Sequence, residues 1–298
     1  PSVSSFISIH NMCAWMISKY GNQHVKKEFL NPMIGMDKIC SYCLTEPDSG
    51  SDSAALSTKA ERTNEGFRVK GTKSFISGGA FSDIYLTMVR TGEAGPHGIT
   101  AILVDKNSKG LCFGSNEEKM GWKSQPTAQV IFDDCSISAE QLLGEENKGF
   151  IYAMRGLDGG RLNIAAAALG GAQTALNIAK KYIKERKAFG KRLSDFQGLQ
   201  FKVADMEIAI NSSRIFLREA AWKLDNEKSD AGVYCAMAKK YVTDNAFNIA
   251  NNSLQLLGGY GYLTDYGIEK IVRDLRVHQI LEGTNEIMQL IIARDSLK

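Results

Sequence analysis

A lone carboxylate, Glu282, stands near the middle of the run His278-Gln279-Ile280-Leu281-Glu282-Gly283-Thr284-Asn285-Glu286. Apolar residues lead up to it, a glycine follows, and Thr284 is a residue type that caps a helix start. A carboxyl so placed is a candidate general base: desolvation raises its pKa, while the positive end of the next helix lowers it. The plainer reading is a solvated or capping glutamate, and this segment alone does not displace it. A second stretch, Tyr42-Cys43-Leu44-Thr45-Glu46-Pro47-Asp48-Ser49-Gly50-Ser51-Asp52, runs from a β-type pattern into a loop of Ser, Gly and Asp. Such a loop offers N–H groups and hydroxyls to a flat heteroaromatic ring or a phosphate, though a tight surface turn has the same composition. It is not a Walker loop, because no Gly-Lys-Ser/Thr follows, and it lacks the strand-then-helix setting of a dinucleotide fingerprint. A third stretch, Gln255-Leu256-Leu257-Gly258-Gly259-Tyr260-Gly261, reads in isolation as a glycine-rich helix end. Cys40 and Cys43 form a lone C-x-x-C. Without a second pair, and with only four histidines, they read better as thiols in an apolar strand than as a redox or zinc site.

Three textures position these stretches. Residues 1–37 are helical, with Phe6, Ile9, Cys13, Met16 and Tyr20 at helical spacing, Gly21 as a stop and Asn22 as the next cap. Residues 38–147 change to strands at 39–44, 67–70, 84–89, 99–104 and 130–132, separated by turn signals, which predicts an antiparallel sandwich or barrel. Residues 148–298 return to helices: a long one to about 187, one opening with a capping box at Ser194-Asp195-Phe196-Gln197, one from about 229 to Gly258, and two shorter ones. That pattern predicts a four-helix bundle.

Apolar residues make up 44% and charged residues 23% of the 298, the balance of an ordinary globular protein. A net charge of +3 argues against nucleic acid or an anionic membrane as partner. The most apolar stretch, 162–179, is interrupted by Asn163, Gln173, Thr174 and Asn177, so no membrane insertion is expected. Six cysteines in a chain this long fit a reducing compartment. With no leader pattern ahead of the first helix, the sequence reads as a processed or shortened product.

Taken in order, the Thr45-Glu46-Pro47-x-x-Gly50-Ser51-Asp52 loop and the Gln255-x-x-Gly258-Gly259-x-Gly261 element resemble the acyl-CoA dehydrogenase family over essentially the whole chain. The resemblance implies three domains: the C-terminal part of an N-terminal helical domain (1–37), a middle β domain (38–147) and a helical bundle (148–298). It implies FAD as cofactor and dehydrogenation of the Cα–Cβ bond of an acyl-CoA. Tyr42, Cys43, Leu44, Thr45, Gly50 and Ser51 would line the flavin, with Ser51 also touching the CoA side. Phe75, Ile76 and Ser77 match a second flavin segment, Phe75 standing where many relatives carry Trp. Asp158, Gly159, Gly160 and Arg161 match the substrate segment. Arg161 and Arg294 are candidate anion contacts. Two glycines inside a helix cost roughly 1 kcal/mol each against alanine, which an acyl chain needing the space, or close helix packing, would explain.

By the same resemblance Arg186 reaches a flavin pyrophosphate in an adjoining subunit. Phe196 and Gln197 give a further flavin contact, Gln255, Leu256, Leu257, Gly258 and Gly259 meet the adenine half across a subunit interface, and Thr284, Asn285 and Glu286 touch FAD. Shared sites imply a homo-oligomer, usually a tetramer. Glu282 would remove the α-proton while hydride leaves for flavin N5 and electrons pass on to electron-transfer flavoprotein. Some relatives carry the base on the long helix, at the position of Gly160; its vacancy here favours Glu282. The segment Ser4-Ser5-Phe6-Ile7-Ser8-Ile9-His10-Asn11-Met12-Cys13-Ala14-Trp15 resembles members acting on short, 2-methyl-branched acyl groups of the isobutyryl kind. A straight short- or medium-chain substrate, an oxidase, and a non-catalytic FAD-binding homologue are the alternatives. An oxidase would carry an extra C-terminal region. The implied location is the mitochondrial matrix for a eukaryotic source, otherwise the cytoplasm.

Overall fold

Met12, Cys13, Met16 and Ile17 recur at helical spacing on the buried face of α1 (Ser2–Tyr20). Residues 2–298 are described in this computed structural model, so Pro1, the first residue of the expected helical segment, lies outside them. Asn22 caps α2 (Gln23–Val25), its side chain accepting from the Val25 N–H at 2.8 Å. A π-helical turn (Lys26–Leu30) leads into α3 (Asn31–Ile34).

These helices belong to one of two units, formed by Phe6–Lys119 and Lys123–Leu157. Its sheet holds β1 (Cys40–Cys43), β2 (Lys59–Arg62), β3 (Gly66–Ser77), β4 (Ile84–Arg90), β5 (Ile99–Asp105), β6 (Leu111–Phe113) and β7 (Thr127–Ser138). The order is β1-β4-β2-β3-β7-β6, with β5 also on β4. β4 and β5 are apolar almost throughout because both faces are covered. Leu86, Met88, Ala101 and Leu103 join Met16, Phe29 and Met33 in one cluster; Tyr85, Val89, Ile102 and Val104 join Val69, Val130 and Phe132 in another. The sheet is antiparallel apart from β1–β4 and a single β2–β4 pair, which are parallel. The β2–β3 excursion between β1 and β4 supplies the long crossover that parallel neighbours need. β2, with the sequence Lys-Ala-Glu-Arg, and the three-residue β6 carry no apolar alternation, so the sequence does not announce them.

The other unit comprises Asp158–Lys298 with Met120–Trp122 and the first few residues of the chain. Its helices are most of α4 (Gly149–Glu185), α5 (Gln197–Asp225), α6 (Ala231–Leu257), α7 (Ile268–Arg276) and α8 (Asn285–Ser296), with a small hairpin of β8 (Lys187–Ala188) and β9 (Lys191–Arg192). Ala165, Ala168, Ala172, Leu176 and Ala179 of α4 share a core with Met206 and Ile210 of α5, Val242 and Ile249 of α6, and Leu275 of α7. The expected cap at Ser194 does not form. A 3-10 turn, Leu193–Asp195, intervenes, in which the Arg192 N–H donates to Asp195 Oδ2 at 3.1 Å. The Ser194 carbonyl instead accepts from the Gln200 side chain. No described helix is long and apolar enough to cross a membrane.

Candidate active site

β1 delivers the chain to the loop after Tyr42. Cys40 and Cys43 are free and buried, and burial pushes the Cys43 thiol far up, which leaves it an apolar filler. No group of His, Cys, Asp and Glu among the described residues could hold a metal. Glu46 anchors the loop. Its Oε2 accepts from the Ser57 N–H at 2.6 Å and the Ser57 hydroxyl at 2.9 Å; Oε1 accepts from the Thr58 N–H at 2.9 Å and the Lys73 ammonium at 2.7 Å. Burial alone would raise this carboxyl, but Lys73 and the N–H and hydroxyl donors outweigh it and hold it at about 2.

Lys73, wholly buried on β3, also donates to the Leu44 carbonyl at 3.1 Å, and the Ser74 N–H donates to the Thr45 carbonyl at 2.8 Å. Leu44 and Thr45 are thereby stitched to the strand just before Phe75, Ile76 and Ser77. A break in register between Lys73 and Ile76 gives Phe75 a φ of 58° and turns its ring outward, 69% exposed, while Ile76 stays buried. Ser49 bonds back to Asp52, leaving Gly50 and Ser51 exposed.

In the helical unit Glu282 and Gly283 are both left-handed, with φ of 54° and 89°. For a glutamate this costs about 1 kcal/mol, a strain typical of functional turns. Thr284 then caps α8, its hydroxyl accepting from the Ile287 N–H. The turn leaves Glu282 Oε2 buried without a hydrogen-bond partner. Burial raises the carboxyl to about 7, against the opposing pull of Arg161 and Lys239. Arg161 is itself buried on α4 and donates to Asp158 at 2.7 Å, and its Nε has no partner. Asp158 is raised by burial despite Arg161. Beside Gly159 nothing lies within 4 Å of where a Cβ would stand, so open space, not tight helix packing, adjoins it; Gly160 is buried. Asn285 is buried with its amide committed inside the unit, Glu286 is exposed, and Arg294, exposed in the last turn of α8, takes no part in these hydrogen bonds.

Elsewhere in the same unit, Arg186, Gln255, Leu256, Leu257, Gly258 and Gly259 line one cavity of about 670 Å³ with Tyr182, Tyr260 and Lys202. The Arg186 guanidinium lies 5.6 Å from the Tyr260 ring centre. Gly258, at φ 59°, and Gly259 meet nothing within 4 Å where side chains would stand. A cation, an aromatic ring and an open glycine floor fit a nucleotide pyrophosphate and its base. Phe196 and Gln197 do not line this cavity: Phe196 is held between Phe189 and Lys191, and Gln197, at the start of α5, is exposed.

Three side chains escaped the sequence reading. Lys239 lies on the buried face of α6 with Cys235, Ala238, Val242 and Ala246, and a lysine in that periodicity is a readable signal. Asp244 and His278 also escaped. His278 donates from Nδ1 to the Ile164 carbonyl at 3.1 Å, and burial lowers it to about 4, so it is neutral.

Two family models match the chain: the acyl-CoA dehydrogenase middle domain over residues 41–135 and the acyl-CoA dehydrogenase C-terminal domain over residues 147–297. Mitochondrial isobutyryl-CoA dehydrogenase of Dictyostelium discoideum is 52% identical over all of this chain and 72% of that protein. The Bos taurus protein of the same name is 48% identical over 100% of this chain and 71% of its own length. The solved butyryl-CoA dehydrogenase of Megasphaera elsdenii superposes with a TM-score of 0.95 at 37% identity, over 100% of this chain and 77% of its own. The stitched loop, the buried carboxylate turn and the glycine-floored cavity therefore sit in a chain that belongs to the acyl-CoA dehydrogenase family of FAD flavoproteins.

Proposed function

We propose that this acyl-CoA dehydrogenase acts on a short, 2-methyl-branched acyl-CoA such as isobutyryl-CoA, with Glu282 as the base. The observation that carries the reading is the Glu282 carboxyl: raised to about 7, with one buried oxygen left without a partner at a strained turn. A base near neutrality can take a proton from the acidified α-carbon of a thioester without being trapped by its own solvation. FAD, when bound, would supply the acceptor for the hydride that leaves Cβ.

The chain's own residues do the rest. Glu282 takes the α-proton, and its backbone N–H is offered to the thioester carbonyl, where enolate charge gathers. The acyl group enters the open space beside Gly159, and its arrival expels water from the carboxylate, raising it further toward the acidity of the α-carbon. Arg161, with Asp158, supplies buried positive charge near the base; Arg294 is a candidate anion contact. Leu44, Thr45, Gly50, Ser51 and the exposed Phe75 ring, with Tyr42 and Ser77, would line the flavin; Cys43 and Ile76, both buried, would back that wall from within the sheet. Thr284 and Glu286 would meet the cofactor at the helix start, Asn285 holding that turn from inside the unit.

Arg186 and residues 255–259 would serve the nucleotide end of a cofactor shared with a second subunit; Phe196 and Gln197 lie outside that cavity and would meet the cofactor elsewhere. Phe201, Ile208, Ile215 and Trp222 supply the surface for that subunit: they repeat every seven residues along α5 and are all exposed. The assembly is a homotetramer and the electron acceptor electron-transfer flavoprotein. The compartment is the mitochondrial matrix in a eukaryotic source, a reading supported by the word mitochondrial in the names of the Dictyostelium and bovine relatives, and otherwise the cytoplasm.

A straight short-chain substrate is the second reading, since short-chain-specific acyl-CoA dehydrogenases of Clostridium acetobutylicum and Sus scrofa are each 39% identical. Anaerobic bleaching of flavin absorbance across straight and 2-methyl-branched acyl-CoAs decides between them. Fastest bleaching by isobutyryl-CoA is the expected result; faster bleaching by butyryl-CoA favours the second reading, and no bleaching by any acyl-CoA refutes both.

A further inference from the structure

Lysine is almost never fully buried without a partner, yet Lys239 has no exposed surface. Its ammonium donates to the Gly283 carbonyl and to Asn285 Oδ1, both at 2.8 Å. These acceptors lie on either side of the peptide that leads from the Glu282 turn into α8. Asn285 is held in turn, its Nδ2 donating to Asp244 Oδ1 at 2.7 Å and to the Thr243 hydroxyl at 3.0 Å. Gln279 donates to the same Asp244 oxygen at 2.7 Å, and Lys240 takes the other. One stretch of α6 thus grips the chain before Glu282, through Gln279, and after it, through Gly283 and Asn285. Neither acceptor of Lys239 carries a charge. Burial lowers the ammonium to about 8, and among the carboxylates whose field opposes that, Glu282 is foremost.

We infer that Lys239 is a positioning residue for the base: it fixes the Glu282 turn through Gly283 and Asn285. The inference rests on Glu282 being the base. The charged groups acting on that carboxylate are Arg161, paired with Asp158, from α4, and Lys239 from α6. Asp244 and Glu286 act on Lys239, and the buried His278 on the loop is uncharged. Arg161 and Lys239 oppose the effect of burial on Glu282. Removing one of the two lets the carboxylate protonate at higher pH.

The test uses the FAD-loaded full chain as Lys239→Met and Lys239→Gln, with the acyl-CoA that bleaches the wild type. The acid limb of the kcat profile should move up by about one pH unit or more. Turnover should fall about ten-fold near neutrality and recover toward wild type in alkali. Lys239→Gln keeps a donor for the Gly283 carbonyl, so it should show the same displaced limb with less loss of thermal stability. An unmoved limb, with turnover lowered by one factor at every pH, assigns Lys239 to the fold alone and overturns the inference. Failure of both variants to fold does the same. Should Glu282→Gln keep its turnover, the base assignment fails, whatever the Lys239 variants do.

Discussion

Replacing Glu282 by glutamine should exchange catalysis for stability, with a pH dependence set by one carboxyl. Burial lifts that carboxyl from an ordinary 4.5 to about 7, net of the pull from Arg161 and Lys239. The unfolded chain releases the proton near the lower value and the folded chain near the higher. Below both values the group carries no penalty. As pH rises between them the unfolded state is favoured progressively, and above the higher value the full difference is present. At about 1.4 kcal/mol per pH unit, the penalty is roughly 3 kcal/mol. Glutamine is neutral at every pH and nearly the same shape. Glu282→Gln should therefore be more stable than wild type by up to about 3 kcal/mol near pH 8.5, a gain that shrinks toward zero below about pH 5. Calorimetric scans at matched FAD loading should show this as a rise of several degrees in Tm at the higher pH. Turnover in the same preparation should fall by about 10²-fold or more. A stability difference that does not change with pH would refute the claim that the carboxyl is desolvated, and near-normal turnover would refute its role as base.

Three further outcomes follow from other parts of the molecule. Glu46→Gln strands the buried Lys73 and should cost about 3–5 kcal/mol near neutrality. Because Glu46 is held at about 2, the wild type should lose this stability only as pH falls from about 4.5 toward 2, which unfolding curves at two pH values would show. Ile208→Glu with Ile215→Glu on the exposed face of α5 should lower the assembly state in sedimentation without melting the helices; an unchanged mass would remove α5 from the interface. Arg186→Ala should lower the ratio of flavin to protein absorbance after gel filtration, and undiminished loading would exclude Arg186 from cofactor binding.

Much of the fold was legible because helical and strand periodicities switch cleanly along the chain. Asn22 and Thr284 cap the helices they were expected to cap. Legibility failed where local chemistry had competitors. Ser194 looked like a cap, but the turn at Leu193–Asp195 is closed by the Asp195 carboxylate. Asp230 is drawn to Lys223 at 2.6 Å, although its position before α6 suited a cap. The parallel β1–β4 pair was hidden because strand direction depends on the route of the chain between strands, which periodicity does not encode. In the candidate site Glu282 was visible as a carboxylate in an apolar run. Its left-handed turn and the grip of Lys239 and Asp244 were not, because they join positions more than thirty residues apart through side-chain direction.

One helix, α6, sets how the sites are spaced. Lys239, about a third of the way along it, holds the Glu282 turn, and Gln255, near its C-terminal end, opens the cavity floor. At 1.5 Å per residue, the sixteen steps between them span about 24 Å. With no glycine or proline between those positions, the helix is a ruler of fixed length. A one-residue insertion would lengthen it by only about 1.5 Å but rotate one end against the other by about 100°. The base turn and the cavity floor are therefore coupled through phase more tightly than through distance, and sequence can drift freely along the exposed side of α6 while its residue count cannot.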